Sequence, residues 1–131
     1  MRRLFLALLL ASGLAHSALA AEEGEKKKGG GESFVTLPTL TASTVRPSNR
    51  HGVLTVEAGL DIADKALRER AEMSKPRLRD AYVQALRIQA ASMTPGGPPD
   101  PDAIAQALQQ ATDRVLGKRG AKLLIGGVMV N

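Results

Sequence analysis

Residues 53–62, VLTVEAGLDI, decide the fold of this chain because apolar and mostly polar residues alternate along them. The apolar set is Leu54, Val56, Ala58, Leu60 and Ile62. Strict alternation with a period of two is typical of a β-strand that has one buried face and one more exposed face. We therefore expect a strand here, with Leu60 on its buried face.

The segment before this strand, residues 33–45, predicts a second strand. It is rich in Val, Thr and Leu, which favour strands. Pro38 interrupts it and cannot donate a hydrogen bond to a strand ladder, so we expect an edge strand or two short pieces. Residues 46–52 (RPSNRHG) predict a turn, because Pro, Asn and Gly adopt the dihedral angles that turns need. This turn would pair the two strands with each other.

Three helices are predicted after the alternating strand. Residues 64–73 predict a short exposed helix, and residues 76–92 predict the main helix, which carries a proline in its first turn. Residues 101–116 predict a third helix, with Asp100 as its N-cap and Gly117 at its end. The predicted apolar stripes are Leu78, Ala81, Ala85 and Ile88, widened by Tyr82, Val83 and Leu86, in the main helix, and Ile104, Leu108, Ala111 and Val115 in the third.

The C-terminal residues 121–130 (AKLLIGGVMV) form an apolar run that is short enough for a buried strand. Gly126 and Gly127 within it indicate a bulge or the close approach of another backbone. The order of strand, strand, three helices and strand predicts an α+β domain over residues 33–131. We expect a small sheet of about three strands, with two or three helices packed on one face.

The N-terminus predicts a targeting segment in residues 1–20. Arg2 and Arg3 precede an apolar run, and residues 18–20 (ALA) give the pattern that a signal peptidase needs. We expect cleavage after Ala20 and export to the periplasm. A retained inner-membrane anchor over residues 4–21 is the alternative, because a helix of this length reaches about 27 Å, close to the thickness of a bilayer core. Residues 21–32 predict a flexible linker of charged residues and glycine.

The composition of the chain excludes several kinds of chemistry. It has no cysteine, and therefore no disulfide, thiolate metal site or thiol nucleophile. His51 is the only histidine outside the targeting segment, and a lone histidine in a turn does not make a metal site. The sequence has no Gly-rich phosphate loop and no G-x-S-x-G motif. We therefore predict a protein that is not an enzyme and that has no catalytic residue, cofactor or metal.

The positive charge of the chain raises the question of an anionic partner. The net charge is +5, but only three residues, Phe5, Phe34 and Tyr82, are aromatic and suited to stacking on bases. Together with an export signal, this argues against nucleic acid. Lys and Arg cluster in residues 65–79 and in residues 114–122. Each cluster is either a solvated surface or a contact for an acidic protein or for lipid headgroups.

Three segments of the chain resemble the periplasmic domain of flagellar basal-body-associated FliL proteins. They are the opening residues 34–38 (FVTLP), the alternating strand, and residues 75–80 (KPRLRD) at the head of the main helix. The resemblance implies a fold similar to that of stomatin-like domains and implies self-association. It also implies a supporting role in motility, beside the ion-driven stator units of the flagellar motor. It carries over no catalytic residue.

The residues that we expect at a partner interface are Arg77, Arg79 and Asp80, within the KPRLRD segment. The partner would be an envelope protein, such as a component of the flagellar basal body or stator, or a second copy of the chain. Two alternatives remain open: a periplasmic protein of unrelated role that associates with the membrane surface, and a carrier of a small ligand.

Overall fold

The computed structural model describes residues 31–131 and confirms the α+β class. Its strands are β1 (Phe34–Thr36), β2 (Leu40–Arg46), β3 (Arg50–Ile62) and β4 (Ala121–Val130), and its helices are α1 (Lys65–Met73), α2 (Lys75–Ser92) and α3 (Pro101–Leu116). The predicted targeting segment and nearly all of the predicted linker lie outside the described residues. Within residues 31–131, no helix has the length and apolar character that a membrane span requires.

β3 is the central strand of an antiparallel sheet. β1 and β2 pair one after the other along one edge of β3, and β4 pairs along the other edge. The sheet therefore contains four strands but is only three strands wide. Pro38 lies between β1 and β2, which confirms the prediction of two short pieces on an edge.

The hairpin between β2 and β3 closes through a tight turn, as predicted. Pro47 begins a short 3-10 segment, Pro47–Asn49, in which Ser48 and Asn49 adopt φ angles of 64° and 55°. Asn tolerates this left-handed conformation better than most residues because its short polar side chain can hydrogen-bond locally. The turn brings Arg46 opposite Arg50.

The alternation of β3 separates a covered face of the sheet from an open one. Leu54, Val56, Leu60 and Ile62 are fully buried beneath the helices, whereas Glu57 is exposed. α2 packs mainly on β2, and α3 packs on β4. Because full burial of such a side chain contributes about 1.5–3 kcal/mol, the covered face carries much of the stability of the domain.

α2 buries Leu78, Tyr82, Ala85 and Leu86 as predicted, but Ile88 lies outside the buried face. The stripe follows Leu78, Tyr82, Leu86 and Ala90, whereas Ile88 is 68% exposed. The prediction for Ile88 is wrong, because each residue turns a helix by about 100° and Ile88 stands two residues from both Leu86 and Ala90. In α3 the predicted Ile104, Leu108 and Ala111 are buried, while Val115 is half-buried and Thr112 and Leu116 complete the stripe.

Side-chain caps and a glycine set the ends of the helices. Asp64 Oδ2 accepts a hydrogen bond from the Leu67 N–H at 2.9 Å and caps α1. Asp100 Oδ1 accepts from the N–H groups of Asp102 and Ala103, each at 3.1 Å, and caps α3 as predicted. Gly117 ends α3 with a φ angle of 70°. A cap of this kind contributes about 1 kcal/mol, which explains both aspartates without a further role.

β4 contains the predicted bulge but is less buried than predicted. Glu57 pairs with Gly127 whereas Ala58 pairs with Ile125, so Gly126 is an extra residue in the ladder. Leu124 and Met129 are 37% and 53% exposed. The prediction of a buried strand is wrong because β4 is an edge strand and the helices cover only one of its faces.

Candidate functional site

The predicted interface residues Arg77, Arg79 and Asp80 lie in the first two turns of α2, and all three are exposed. Leu78, between the two arginines, is fully buried and anchors this part of the helix. At about 100° per residue, the arginines lie on opposite flanks of α2 and Asp80 lies between them on the outer side. The three side chains therefore spread over the exposed surface and do not converge on a pocket.

Pro76 sets the direction of this segment. Proline has no N–H, and its ring clashes with a continuous helix, so the chain bends at Ser74 between α1 and α2. The Ser74 N–H bonds to the carbonyls of Arg70 and Ala71 at 2.9 and 3.1 Å, and the Leu78 N–H bonds to the Ser74 carbonyl at 2.8 Å. The bend leaves Met73 80% exposed at the corner.

An exposed row on α2 joins two predicted residues to an apolar one. Arg77, Asp80, Gln84 and Ile88 follow each other at intervals of three, four and four residues, which places them in one row along the helix. We call this row the α2 stripe; Arg79 lies outside it. Met73, the last residue of α1, precedes Arg77 by four residues, and Ile88 forms the other end of the stripe. Among the large apolar side chains of residues 31–131, these two are the most exposed.

Two other basic residues support the fold. Arg68 Nη1 donates to the carbonyl of Ile62 at 2.8 Å and to that of Ala63 at 3.3 Å. Arg70 Nη1 donates to the carbonyl of Leu116 at 3.1 Å, at the end of α3. Basic side chains commonly satisfy carbonyls at helix ends in this way. The basic cluster in residues 65–79 is therefore divided between these structural contacts and exposed side chains.

Tyr82 links α2 to α3 inside the core. Its hydroxyl lies 2.7 Å from Thr112 Oγ1, and Thr112 Oγ1 donates to the carbonyl of Leu108 at 2.8 Å. Because a threonine hydroxyl has one proton to donate, Tyr82 is the donor to Thr112. Burial raises the pKa of Tyr82 to about 12, and the Asp113 carboxylate acts in the same direction. Tyr82 is thus a buried neutral phenol with a structural role.

His51 lies exposed at the start of β3, opposite Val45. Three shallow depressions of the surface are lined by neither His51 nor Tyr82. In the part of the chain that the structure describes, no group of three His, Cys, Asp or Glu side chains lies close enough together to hold a metal ion.

The open face of the sheet contains a depression of about 380 Å³ between β1 and β4. The ring of Phe34 lies across Gly59, where an added Cβ would collide with it. β1 ends at Thr36 and β2 begins at Leu40, so Glu57 and Ala58 have no strand partner on that side. The lining is mostly apolar and includes one charged residue, Glu57.

Gln109 is a structural residue that sequence reasoning missed. Its Oε1 accepts from the Leu123 N–H at 2.8 Å, and its Nε2 donates to the Ala121 carbonyl at 2.8 Å. The side-chain amide thus takes the place of a neighbouring strand at the outer edge of β4, which would otherwise leave these groups unpaired. A glutamine on an amphipathic helix gives no signal for this role, because the same residue type is ordinary on a solvated surface.

Comparison of the chain with protein-family models and with curated proteins finds no match. The resemblance to FliL proteins therefore stays a prediction that rests on the three quoted segments.

Proposed function

We propose that this chain is an exported, non-enzymatic accessory domain that binds an envelope protein or a second copy of itself through the outer side of α2. The observation that carries the proposal is the α2 stripe, a polar row that begins four residues after Met73 and ends in Ile88. These two large apolar side chains are 80% and 68% exposed. The stripe is about 17 Å long from Arg77 to Ile88. Apolar contact supplies affinity at a protein interface, and charged neighbours fix orientation and partner choice.

The resemblance to FliL proteins supports a more specific form of this proposal. Segment 34–38 corresponds to β1 and the two residues after it, and segment 75–80 corresponds to the start of α2. The third segment is β3, the strand that the rest of the sheet pairs with. In this form, the partner is a component of the flagellar basal body or its stator, and the domain supports motility from the periplasmic side.

A deletion strain and an in-cell cross-link test the motor form. We expect swimming or surface motility to change in the deletion strain. We also expect a photo-cross-linker at Ile88 of the full-length chain to capture a motor component or a second copy. A cross-linker at Ser48, in the hairpin turn, is the control and should capture neither. Unaltered motility, with no such product at Ile88, would contradict the proposal.

Substitution of the predicted interface residues separates binding from stability. Arg77→Ala and Arg79→Ala should weaken the cross-link at Ile88, because they remove charge at and beside the stripe. Both side chains are exposed, so we expect the free energy of unfolding to change by no more than about 0.5 kcal/mol. Arg46→Ala, in the hairpin turn, should affect neither quantity. A cross-link that survives both α2 substitutions would exclude these arginines from the interface.

A further inference from the structure

The net charge of the domain lies at one of its ends. Residues 61–80 and 113–122 contain ten Lys and Arg against six Asp and Glu, which gives +4. The rest of residues 33–131 contains three basic and three acidic residues and is neutral. The fold brings the two charged segments together, because Ile62 pairs with Ala121 and Arg70 Nη1 donates to the carbonyl of Leu116.

The neutral end lies at the opposite side of the domain. It contains the hairpin turn and the loop after α2, which meet so closely that a Cβ on Gly96 would lie 2.7 Å from Pro47 Cγ. α2 therefore runs from the charged end to the neutral end. Arg46 and Arg50, at the hairpin turn, are both exposed.

Five exposed side chains define what we call the basic end. Lys118 and Arg119 form the turn between α3 and β4, and Lys122 stands opposite Asp61. Lys65 begins α1, and Arg114 lies in the last turn of α3. Arg68 and Arg70 contribute to the charge of this end but are not counted among the five, because their guanidinium groups donate to backbone carbonyls.

The N-terminal part of the chain joins the domain at the basic end. The Ile62 N–H donates to the Ser33 carbonyl at 2.8 Å, and Phe34 stands opposite Asp61, the residue that also pairs with Lys122. β1 and β4 flank β3 there and lie two strand spacings apart, about 10 Å. The described part of the chain therefore begins beside Lys122 and the neighbouring turn.

We propose that the basic end docks onto the anionic phospholipid headgroups of the membrane across which the chain is exported. The inference rests on the export part of the proposed function and is independent of the motor form. In the alternative in which residues 4–21 are retained as an anchor, residues 21–30 can span no more than about 36 Å, which would hold the basic end close to the bilayer. Anionic headgroups complement its charge, and a basic residue near such a surface contributes about fivefold in affinity.

Binding to vesicles tests this inference. The protein is residues 21–131, the product of the predicted cleavage, which contains every described residue and hence the whole core. The probes are phosphatidylcholine vesicles with and without phosphatidylglycerol. We expect binding only to the vesicles with phosphatidylglycerol. It should weaken as salt rises, because the Debye length falls to about 8 Å at physiological ionic strength.

Two double variants with the same change in charge locate the contact. Lys118→Glu with Arg119→Glu should lower vesicle affinity by roughly 25-fold or more. Arg46→Glu with Arg50→Glu, at the neutral end, should leave it unchanged. All four side chains are exposed, and far-UV circular dichroism with thermal melting checks that both variants fold.

Three results would overturn the inference. The first is equal tightness of binding to vesicles with and without phosphatidylglycerol, and the second is an equal loss of affinity in the two double variants. The third is a double variant, Lys118→Glu with Arg119→Glu, that still binds vesicles with unchanged affinity but loses an in-cell cross-link to an acidic protein. That result would assign the basic end to the acidic protein. The two proposals can fail separately. Vesicle binding that depends on the basic end, together with unaltered motility of the deletion strain, would support this inference and contradict the motor form.

Discussion

Successive residues of β3 lie on opposite faces of the sheet, and the two faces differ in what covers them. On the covered face, Leu54 and Leu60 are completely buried beneath α2 and α3. On the open face, Val53 is 45% exposed and Met129 is 53% exposed. The open face is closed locally, where the ring of Phe34 lies across Gly59.

This difference shows that alternation fixes which residues share a face but does not fix how much stability that face provides. The covered face gains burial from two helices, and we expect substitutions there to affect the whole domain. The open face gains one aromatic contact, so substitutions there should have smaller and local effects. The four predictions below test this contrast in order of expected size.

Leu60→Asp should unfold the domain, because it places an unpaired charge among buried apolar side chains. Val53→Asp is the matched control on the open face of the same strand. At 45% exposure, its carboxylate reaches solvent, and we expect a loss of about 1 kcal/mol. Far-UV circular dichroism and urea denaturation measure both. If the two variants lost similar stability, the contrast between the faces would be wrong.

The hydrogen bond between Tyr82 and Thr112 tests how the helices above the covered face are held together. The pKa of Tyr82 rises from 10.0 to about 12 in the folded chain, so the native state binds the phenolic proton more tightly than the unfolded state does. This stabilisation is fully present below pH 10 and is lost as the pH rises from 10 to about 12, a decrease of about 2–3 kcal/mol.

Tyr82→Phe isolates this contribution from the lysines that titrate in the same range. The variant should lose about 1 kcal/mol at neutral pH, because one buried hydrogen bond is gone. Its unfolding free energy should then fall less steeply than that of the wild type between pH 10 and 12. If urea denaturation gave parallel pH profiles for the wild type and Tyr82→Phe, burial of Tyr82 would not be the cause of the loss of stability at high pH.

Gly59→Ala tests the local closure of the open face. The added methyl group meets the ring of Phe34, and overpacking of this kind costs about 1–3 kcal/mol. In a Phe34→Ala background the cost should fall, so a double-mutant cycle should give a coupling energy above about 0.5 kcal/mol. Gly126→Ala is the control, because its Cβ would lie 3.6 Å from the nearest atom, the Glu57 carbonyl oxygen. Additive effects of Gly59→Ala and Phe34→Ala would rule out the ring contact as the cause.

Local rules of sequence predict the elements whose conformation depends on neighbours in the chain. The alternation of β3, the break at Pro38, the cap at Asp100 and the bulge at Gly126 all follow from such rules, and the structure confirms them. The burial of Ile88 and of β4 depends instead on which element covers a surface. Spacings of three and four residues fit the stripe with Ile88 as well as the observed stripe, so the sequence alone does not decide between them.

The α2 stripe and the basic end were predictable only in part, because they too depend on how elements distant in the sequence pack together. Exposure of Arg77, Arg79 and Asp80 follows from charge on an amphipathic helix, and the structure places all three at the surface. The meeting of the two basic clusters depends on contacts such as that between Arg70 and Leu116, which are 46 residues apart. The pairing of Gln109 with β4 likewise requires the packing of α3, which no local pattern specifies.

Ile88→Gln should have the smallest effect on stability and tests the outer surface of the helices. Because Ile88 is 68% exposed, we expect the free energy of unfolding to change by no more than about 0.5 kcal/mol. Leu86→Gln, at a fully buried position two residues earlier, is the matched control and should cost about 2–5 kcal/mol. Equal losses in urea denaturation would place Ile88 in the core and remove one end of the α2 stripe. Normal stability together with loss of the partner cross-link, measured in the full-length chain with a photo-cross-linker at Gln84, would instead show that the binding surface is separate from the residues that hold the fold.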